Sequence, residues 1–167
     1  TVHAIETNLP DAGKLRPMRG SSILSAGLTR RAAVALVALF AAATAFAGLF
    51  SLPPLDRDEA RFAQATAQML ESGDYITIRF QDRERNKKPA GIYWLQAASV
   101  ATLSDVEARE IWAYRIPSMI AVVFAAVFTF LAGARLYDVR TGLLAGMLLA
   151  SAPVVAAEGT IAKTDGV

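Results

Sequence analysis

Residues 32–63 read AAVALVALFAAATAFAGLFSL followed by PPLDRDEARFA, and this stretch decides the fold class. The first part, 32–52, is a run of 21 uncharged residues. A helix of that length rises about 30 Å, which is the thickness of a bilayer core. The second part places five charges directly behind the apolar run. Charges are costly inside lipid, so the pattern predicts a transmembrane helix that ends at a charged site on the membrane surface.

The composition of the whole chain also indicates a membrane protein. Of its 167 residues, 54% are hydrophobic, and the mean hydropathy is +0.36, which is more apolar than an ordinary soluble domain. The formal net charge is only +2, so no nucleic-acid partner is expected. There is no Cys, and the single His is His3. These 167 residues therefore exclude thiol catalysis and a Ser-His-Asp triad of their own.

The hydropathy pattern divides the chain into six predicted segments. Residues 1–31 are polar and turn-rich and predict a disordered cytoplasmic tail, whose basic end the positive-inside rule keeps in the cytoplasm. The other predicted segments are transmembrane helix 1 at 32–52, a first periplasmic loop at 53–111, transmembrane helix 2 at 112–137, transmembrane helix 3 at 141–158, and a periplasmic turn with the start of helix 4 at 159–167. The predicted fold class is thus an all-α polytopic membrane protein. A cleavable signal peptide ending at Ala45-Phe46-Ala47 is the competing interpretation of the first run.

The long loop is predicted to contain juxtamembrane helices. From Arg57 to Glu71 the apolar residues share one helical face, which is typical of an amphipathic helix, and Gly73 is a candidate C-terminal cap. Tyr75–Ile78 alternates like a short strand. Gly91–Leu103 is apolar but too short to span a bilayer easily, so it predicts an interfacial or re-entrant helix.

Three groups of charged residues are candidates for a site on the outer face. Asp58 and Glu59 either cap the helix after Pro53-Pro54 or supply a carboxylate that accepts a proton or orients a sugar hydroxyl. Arg61 is spaced to pair with Asp58. Lys88 either extends toward lipid headgroups or holds an anionic phosphate. Asp165 either caps a fourth helix or adds a second carboxylate to the site.

The order of these blocks resembles the GT-C membrane glycosyltransferases of the protein O-mannosyltransferase superfamily. The resemblance is to the bacterial branch that includes the lipid A aminoarabinose transferases, and it covers about residues 30–167. The matching motifs are Asp58-Glu59 after the first helix, Lys88-Pro89 before the aromatic pair Tyr93-Trp94, and Thr164-Asp165 before the predicted fourth helix.

The resemblance implies a role for each matching residue. It implies Asp58 and Asp165 as catalytic carboxylates, and Lys88 as the group that holds a lipid-linked phosphate, with Glu59 and Arg61 as further substrate-binding residues. The implied reaction is the inverting transfer of a sugar from a polyprenyl-phosphate donor to lipid A or a related envelope acceptor. The implied location is the bacterial inner membrane, among membrane lipids, with the active site facing the periplasm.

No cofactor is assured by the resemblance. The aminoarabinose transferases carry an acidic residue directly before the lysine, where this chain has Lys87. A divalent metal stays open as a cofactor, but these residues do not support a site for it.

Two other functions stay open from the sequence. A protein O-mannosyltransferase would use the same donor chemistry with a protein acceptor, and a membrane scaffold or transporter subunit would have no catalytic activity. The family has further helices and a C-terminal domain beyond the segment that matches here. The chain is therefore interpreted as the N-terminal part of a larger protein, and residues 1–167 alone are expected to be inactive.

Overall fold

The computed structural model describes residues 29–54, 57–85 and 87–162, and within them helices predominate. The elements are α1 (Arg30–Phe46), α2 (Arg57–Ser72), β1 (Arg79–Phe80), β2 (Arg83–Glu84), α3 (Gly91–Leu103), α4 (Ile111–Leu136), α5 (Val139–Ser151) and α6 (Pro153–Gly159). The expectation of a mainly helical protein is confirmed, and the two short strands pair as one antiparallel hairpin.

One described helix, α4, is long and apolar enough to cross a bilayer alone, with 26 residues. Helices α5 and α6 meet the same criterion only as a pair bent by 65°, and Pro153, the first residue of α6, lies at this bend. Helix α1 has 17 residues and ends at Phe46 instead of Leu52, so it spans only about 25 Å. The structure therefore supports one span, or two if the bent pair counts as one, and three spans are not established.

Small residues bring α1, α4 and α5 close together. On α1, Ala33, Val37 and Ala41 are buried at a spacing of four, which places them on one face of the helix. Between α4 and α5 the approach is so close that a Cβ atom on Gly142 would lie 2.5 Å from the carbonyl oxygen of Phe130. Close packing of this kind is what holds helices together in lipid.

The two helices predicted in the long loop are confirmed as α2 and α3, and they pack against each other. The rings of Phe62 and Tyr93 are buried with their centroids 5.3 Å apart. One turn further along, the Thr66 hydroxyl donates a hydrogen bond to Gln96 Oε1 at 2.8 Å. Gly73 follows the last turn of α2 with φ +69°, a conformation that favours glycine, so the predicted cap is confirmed.

A proline in α4 creates the contact that fixes α3 to it. Pro117 has no N–H, so the carbonyl of Ala113 loses its helical donor. The Ser99 hydroxyl of α3 donates to that carbonyl at 2.6 Å. The α2–α3 unit is thereby held against the first turns of α4.

The strand expected at Tyr75–Ile78 is wrong, because Asp74 turns the chain there. Its carboxylate accepts hydrogen bonds from the backbone N–H groups of Thr77 at 2.9 Å and Ile76 at 3.0 Å. Both bonds lower the pKa of Asp74, and the bond from Thr77 makes the larger contribution. The antiparallel pair forms later, with Arg79 opposite Glu84 and Phe80 opposite Arg83.

Candidate active site

The first turn of α2 carries two carboxylates in different surroundings. The side chain of Asp58 is 52% exposed, and Arg61 Nη1 donates to its Oδ1 at 3.1 Å, so the predicted i,i+3 pair is confirmed. The side chain of Glu59 is 0% exposed. Asp56, from the same acidic group, lies outside the described residues. Adjacent residues on a helix point about 100° apart, which separates a solvent-facing Asp58 from an inward-facing Glu59.

Glu59 is paired with Arg115 of α4, which is also 0% exposed. Arg115 Nε donates to Glu59 Oε1 at 2.7 Å, and Nη2 donates to Oε2 at 3.2 Å. This two-point geometry is the strong form of an arginine–carboxylate pair. Both oxygens of Glu59 thus contact the protein interior, although the resemblance implied a contact with substrate.

The other N–H groups of Arg115 bind the chain where it leaves α1. Nη1 donates to the carbonyls of Gly48, Leu49 and Leu52, and Nη2 donates to that of Pro53, at distances of 3.4, 3.1, 2.8 and 3.0 Å. Carbonyls at a helix end lack helical donors and carry partial negative charge. A guanidinium satisfies them here, which accounts for α1 ending before Leu52.

A fourth segment joins this cluster from the far end of the described chain. The backbone N–H of Ala162 donates to Glu59 Oε1 at 2.9 Å. We call Arg115, Glu59, the four carbonyls of residues 48–53 and the N–H of Ala162 the Arg115 junction. Asp165, the second predicted carboxylate, follows Ala162 by three residues and lies outside the described residues.

The segment that carries Lys88 is anchored against α2. Lys88 itself is exposed between β2 and α3. Three residues earlier, Arg85 Nε donates to the Tyr93 hydroxyl at 3.2 Å, and its guanidinium carbon lies 5.4 Å from the centre of the Phe62 ring, a cation–π contact. Phe62 lies one helical turn after Asp58. The segments of Asp58 and Lys88 are therefore in contact through these side chains.

A polar cavity of about 520 Å³ opens beside Arg61 and the hairpin. Its charged lining consists of Arg61, Arg83, Arg85 and Lys87 with Asp82 and Glu84. Four cations against two carboxylates leave an excess of positive charge, which suits an anionic group such as a phosphate. A second cavity of about 510 Å³ between α3 and α4 is lined mainly by apolar side chains, among them Leu95 and Phe124.

Sequence reasoning did not identify Arg115 as a site residue. The available signal was a charge five residues into an apolar helix, where a buried charge needs a partner. Nothing in the spacing indicates that the partner is Glu59, which lies 56 residues earlier.

The residues that the structure describes do not fit a bound metal ion. The described part of the chain contains no group of three or more His, Asp or Glu side chains arranged to hold one. The position directly before Lys88 is occupied by the cation Lys87.

Residues 87–167 match the family described as dolichyl-phosphate-mannose-protein mannosyltransferase. This range includes Lys88, Arg115 and Asp165, whereas Asp58 precedes it.

Curated proteins named undecaprenyl phosphate-alpha-4-amino-4-deoxy-L-arabinose arabinosyl transferase are also similar to the chain. The one from Pseudomonas aeruginosa is 31% identical over 125 residues, covering 71% of this chain and 22% of the relative. Transferase 1 of Pseudomonas fluorescens is 31% identical over 145 residues, covering 83% and 25%. The Yersinia pestis protein is 29% identical over 144 residues, covering 83% and 24%.

The chain spans a quarter or less of the length of these relatives. No solved structure matches it significantly. The family match and the relatives agree with the resemblance seen in the ordered motifs. These findings support membership of the chain in the superfamily of GT-C membrane glycosyltransferases that includes the protein O-mannosyltransferases and the bacterial aminoarabinose transferases.

Proposed function

We propose that the protein is an inverting glycosyltransferase of the bacterial inner membrane, with its active site on the periplasmic side. It moves a sugar from a polyprenyl-phosphate donor to lipid A or a related envelope acceptor. The matched family and the curated relatives support this class of donor, because their names specify dolichyl phosphate and undecaprenyl phosphate, and both are polyprenyl phosphates.

The observation that carries the proposal is the contact between the segments of Asp58 and Lys88. Arg85, Tyr93 and Phe62 connect the two segments. A carboxylate that acts on the acceptor and a cation that acts on the leaving phosphate must work at the same bond, so their segments have to be neighbours. The basic cavity beside Arg61 adds positive charge for an anionic substrate, and the apolar cavity between α3 and α4 offers a surface suited to hydrocarbon.

In the proposed reaction, an acceptor oxygen attacks the anomeric carbon from the face opposite to the phosphate. The bond from that carbon to the phosphate oxygen breaks, and polyprenyl phosphate leaves with the electron pair. The new glycosidic bond therefore has inverted configuration. Lys88 stabilises the negative charge that develops on the leaving phosphate.

The role of Asp58 depends on the acceptor. A hydroxyl acceptor must lose a proton, and Asp58 accepts it as a general base. An ionised phosphate acceptor has no such proton to lose, and Asp58 then orients the reacting groups. Asp165 is proposed as the second carboxylate of the site, and Arg61 holds Asp58 in place and faces the anionic substrate.

The direct test is replacement of Asp58 by Asn in the full-length protein. Membranes with wild type or Asp58→Asn are supplied with undecaprenyl-phosphate aminoarabinose, and transfer to lipid A is measured. Loss of the carboxylate is expected to lower turnover at least a hundredfold, since general base catalysis contributes about 10²–10⁴-fold and misorientation of the reacting groups costs about 10²-fold. Asp105→Asn removes an exposed carboxylate of the same extramembrane segment and is the matched control. Wild-type turnover in Asp58→Asn would rule out the catalytic assignment.

A protein acceptor is the second candidate, favoured by the mannosyltransferase description of the family that matches residues 87–167. This alternative predicts that deletion of the gene removes glycans linked to Ser or Thr of envelope proteins and leaves lipid A unchanged. Mass spectrometry of lipid A and of envelope proteins from the deletion strain separates the two acceptors.

A further inference from the structure

The Arg115 junction connects four segments that are far apart in the sequence. Arg115 uses all three of its nitrogens, and the acceptors are the carboxylate of Glu59 and four backbone carbonyls after α1. Glu59 in turn accepts the N–H of Ala162. The contacts therefore fix the exit of α1, the start of α2, the first turns of α4 and the chain after α6 relative to one another.

Packing around the junction agrees with these hydrogen bonds. A Cβ atom on Gly159 would lie 3.1 Å from the Ala45 side chain and 3.2 Å from that of Val122. A Cβ atom on Gly48 would lie 3.2 Å from the Thr160 methyl group. The chain after α6 is thus packed tightly against α1 and α4 just before it reaches Glu59.

Stability alone does not explain a buried ion pair at this place. Removing two charges from water costs several kcal/mol per ion, and well-packed apolar residues often replace such a pair without loss. What apolar residues cannot do is hold four carbonyls and one amide in fixed directions. The distinguishing property of this pair is therefore the geometry that it imposes on the backbone.

Two of the four connected segments carry the carboxylates of the proposed reaction. Asp58 is the neighbour of Glu59 in α2, and Asp165 follows Ala162 by three residues. We propose that Arg115 and Glu59 are positioning residues, which fix the start of α2, with Asp58, relative to the chain at Ala162 that leads to Asp165, and which do not contact substrate. This inference rests on the proposed function, and it assigns Glu59 a structural partner in place of a sugar.

The test compares Glu59→Gln and Arg115→Lys with wild type in the full-length protein. Glu59→Gln keeps the shape of the side chain but removes its charge, and Arg115→Lys keeps the charge but loses the planar fork. Both are expected to lower kcat for transfer from undecaprenyl-phosphate aminoarabinose at least tenfold, since small misplacements of reacting groups have large effects on rate. The KM for this donor is expected to stay within twofold of wild type, because neither residue touches the donor.

A matched control separates positioning from general loss of stability. Thr66→Val removes another buried hydrogen bond of α2, the 2.8 Å bond to Gln96, which has no part in the junction. It is expected to lower the melting temperature while kcat stays within twofold of wild type. An equal loss of kcat in Thr66→Val at an equal loss of melting temperature would overturn the positioning role.

Hydrogen–deuterium exchange gives a readout that does not depend on activity. The peptide that contains Ala162 is expected to exchange faster in Glu59→Gln than in wild type, because its N–H loses a charged acceptor. Faster exchange with wild-type kcat would overturn the positioning role and leave the proposed function intact. A wild-type protein that transfers no sugar from this donor to any acceptor would overturn the proposed function, and the positioning role with it.

Discussion

At the scale of single residues, two adjacent acidic side chains lie in different surroundings and have different proposed roles. Asp58 and Glu59 are both acidic, and the helical angle between them predicts that they face different surroundings. The sequence does not indicate which of them faces inward, because the deciding partner, Arg115, belongs to another helix. Residue type was therefore sufficient to propose the candidate site, whereas the different surroundings of the two carboxylates became visible only in the packing.

The two adjacent lysines before α3 also have different proposed roles. Lys88 is the proposed phosphate-binding residue, whereas Lys87 lines the basic cavity. Lys88→Ala is expected to raise the donor KM by about 10-fold to 100-fold, since a hydrogen bond to a charged group is worth about 1.5–3 kcal/mol. Steady-state kinetics with undecaprenyl-phosphate aminoarabinose measure this change.

Two variants control the lysine experiment. Lys88→Arg keeps a cation and is expected to retain most of the donor affinity, and Arg79→Ala removes an exposed cation of the same loop with no effect on the KM. If Lys87→Ala raises the KM and Lys88→Ala does not, the phosphate belongs to the basic cavity and the assignment of Lys88 is wrong.

At the scale of elements, local signals predicted where helices occur, and long-range contacts decided where some of them end. Gly73 ends α2 as its conformational freedom predicts. Asp138 is the N-cap of α5, because its carboxylate accepts hydrogen bonds from the backbone N–H groups of Thr141 and Arg140. These bonds lower the pKa of Asp138, and the bond from Thr141 contributes most. In contrast, the apolar run continues to Leu52 and does not indicate that α1 ends at Phe46. That end depends on a distant residue, Arg115, which binds the carbonyls of Leu49 and Leu52.

The close approach of α4 and α5 yields a prediction for this pair of elements. A Cβ atom on Gly142 would lie 2.5 Å from the Phe130 carbonyl oxygen and 2.6 Å from the backbone nitrogen of Ala134, so the helices must separate to accept it. Gly142→Ala is expected to destabilise the protein by about 1–3 kcal/mol, the usual cost of overpacking. Thermal unfolding in detergent measures the loss.

Gly91 provides the matched control for this substitution. A Cβ atom there would meet no atom within 4 Å, so Gly91→Ala is expected to leave the melting temperature unchanged or to raise it slightly. A melting temperature for Gly142→Ala equal to that of wild type would show that α4 and α5 do not approach as closely as described.

At the scale of the whole molecule, the order of helices was predictable and their convergence was not. Hydropathy locates α4 and the bent pair α5–α6, because burial in lipid depends on composition over a window of residues. The junction of residues 48–53, Glu59, Arg115 and Ala162 depends on pairings up to 103 residues apart, and no local pattern encodes them. The ordered motifs indicated the superfamily. The geometry then showed that the segments of Asp58 and Lys88 are connected through the side chains of Arg85, Tyr93 and Phe62.

The predicted membrane orientation is the last property of the whole molecule to test. The proposed function requires the segment between α1 and α4 to face the periplasm and the turn between α4 and α5 to face the cytoplasm. Residues 1–167 contain no Cys, so a single Cys reports one position in this region without background from it. Asp105→Cys and Tyr137→Cys place the thiol at exposed positions of the two segments.

Intact cells are treated with a maleimide that crosses the outer membrane but not the inner membrane. Asp105→Cys is expected to label in intact cells, and Tyr137→Cys only after the inner membrane is permeabilised. Retained sugar transfer in both variants is the control for native insertion. The opposite pattern would place Asp58 and Lys88 in the cytoplasm, and the periplasmic site of the proposal would then be wrong even if the transferase chemistry were right. Labelling of both positions in intact cells would mean that α4 does not cross the inner membrane.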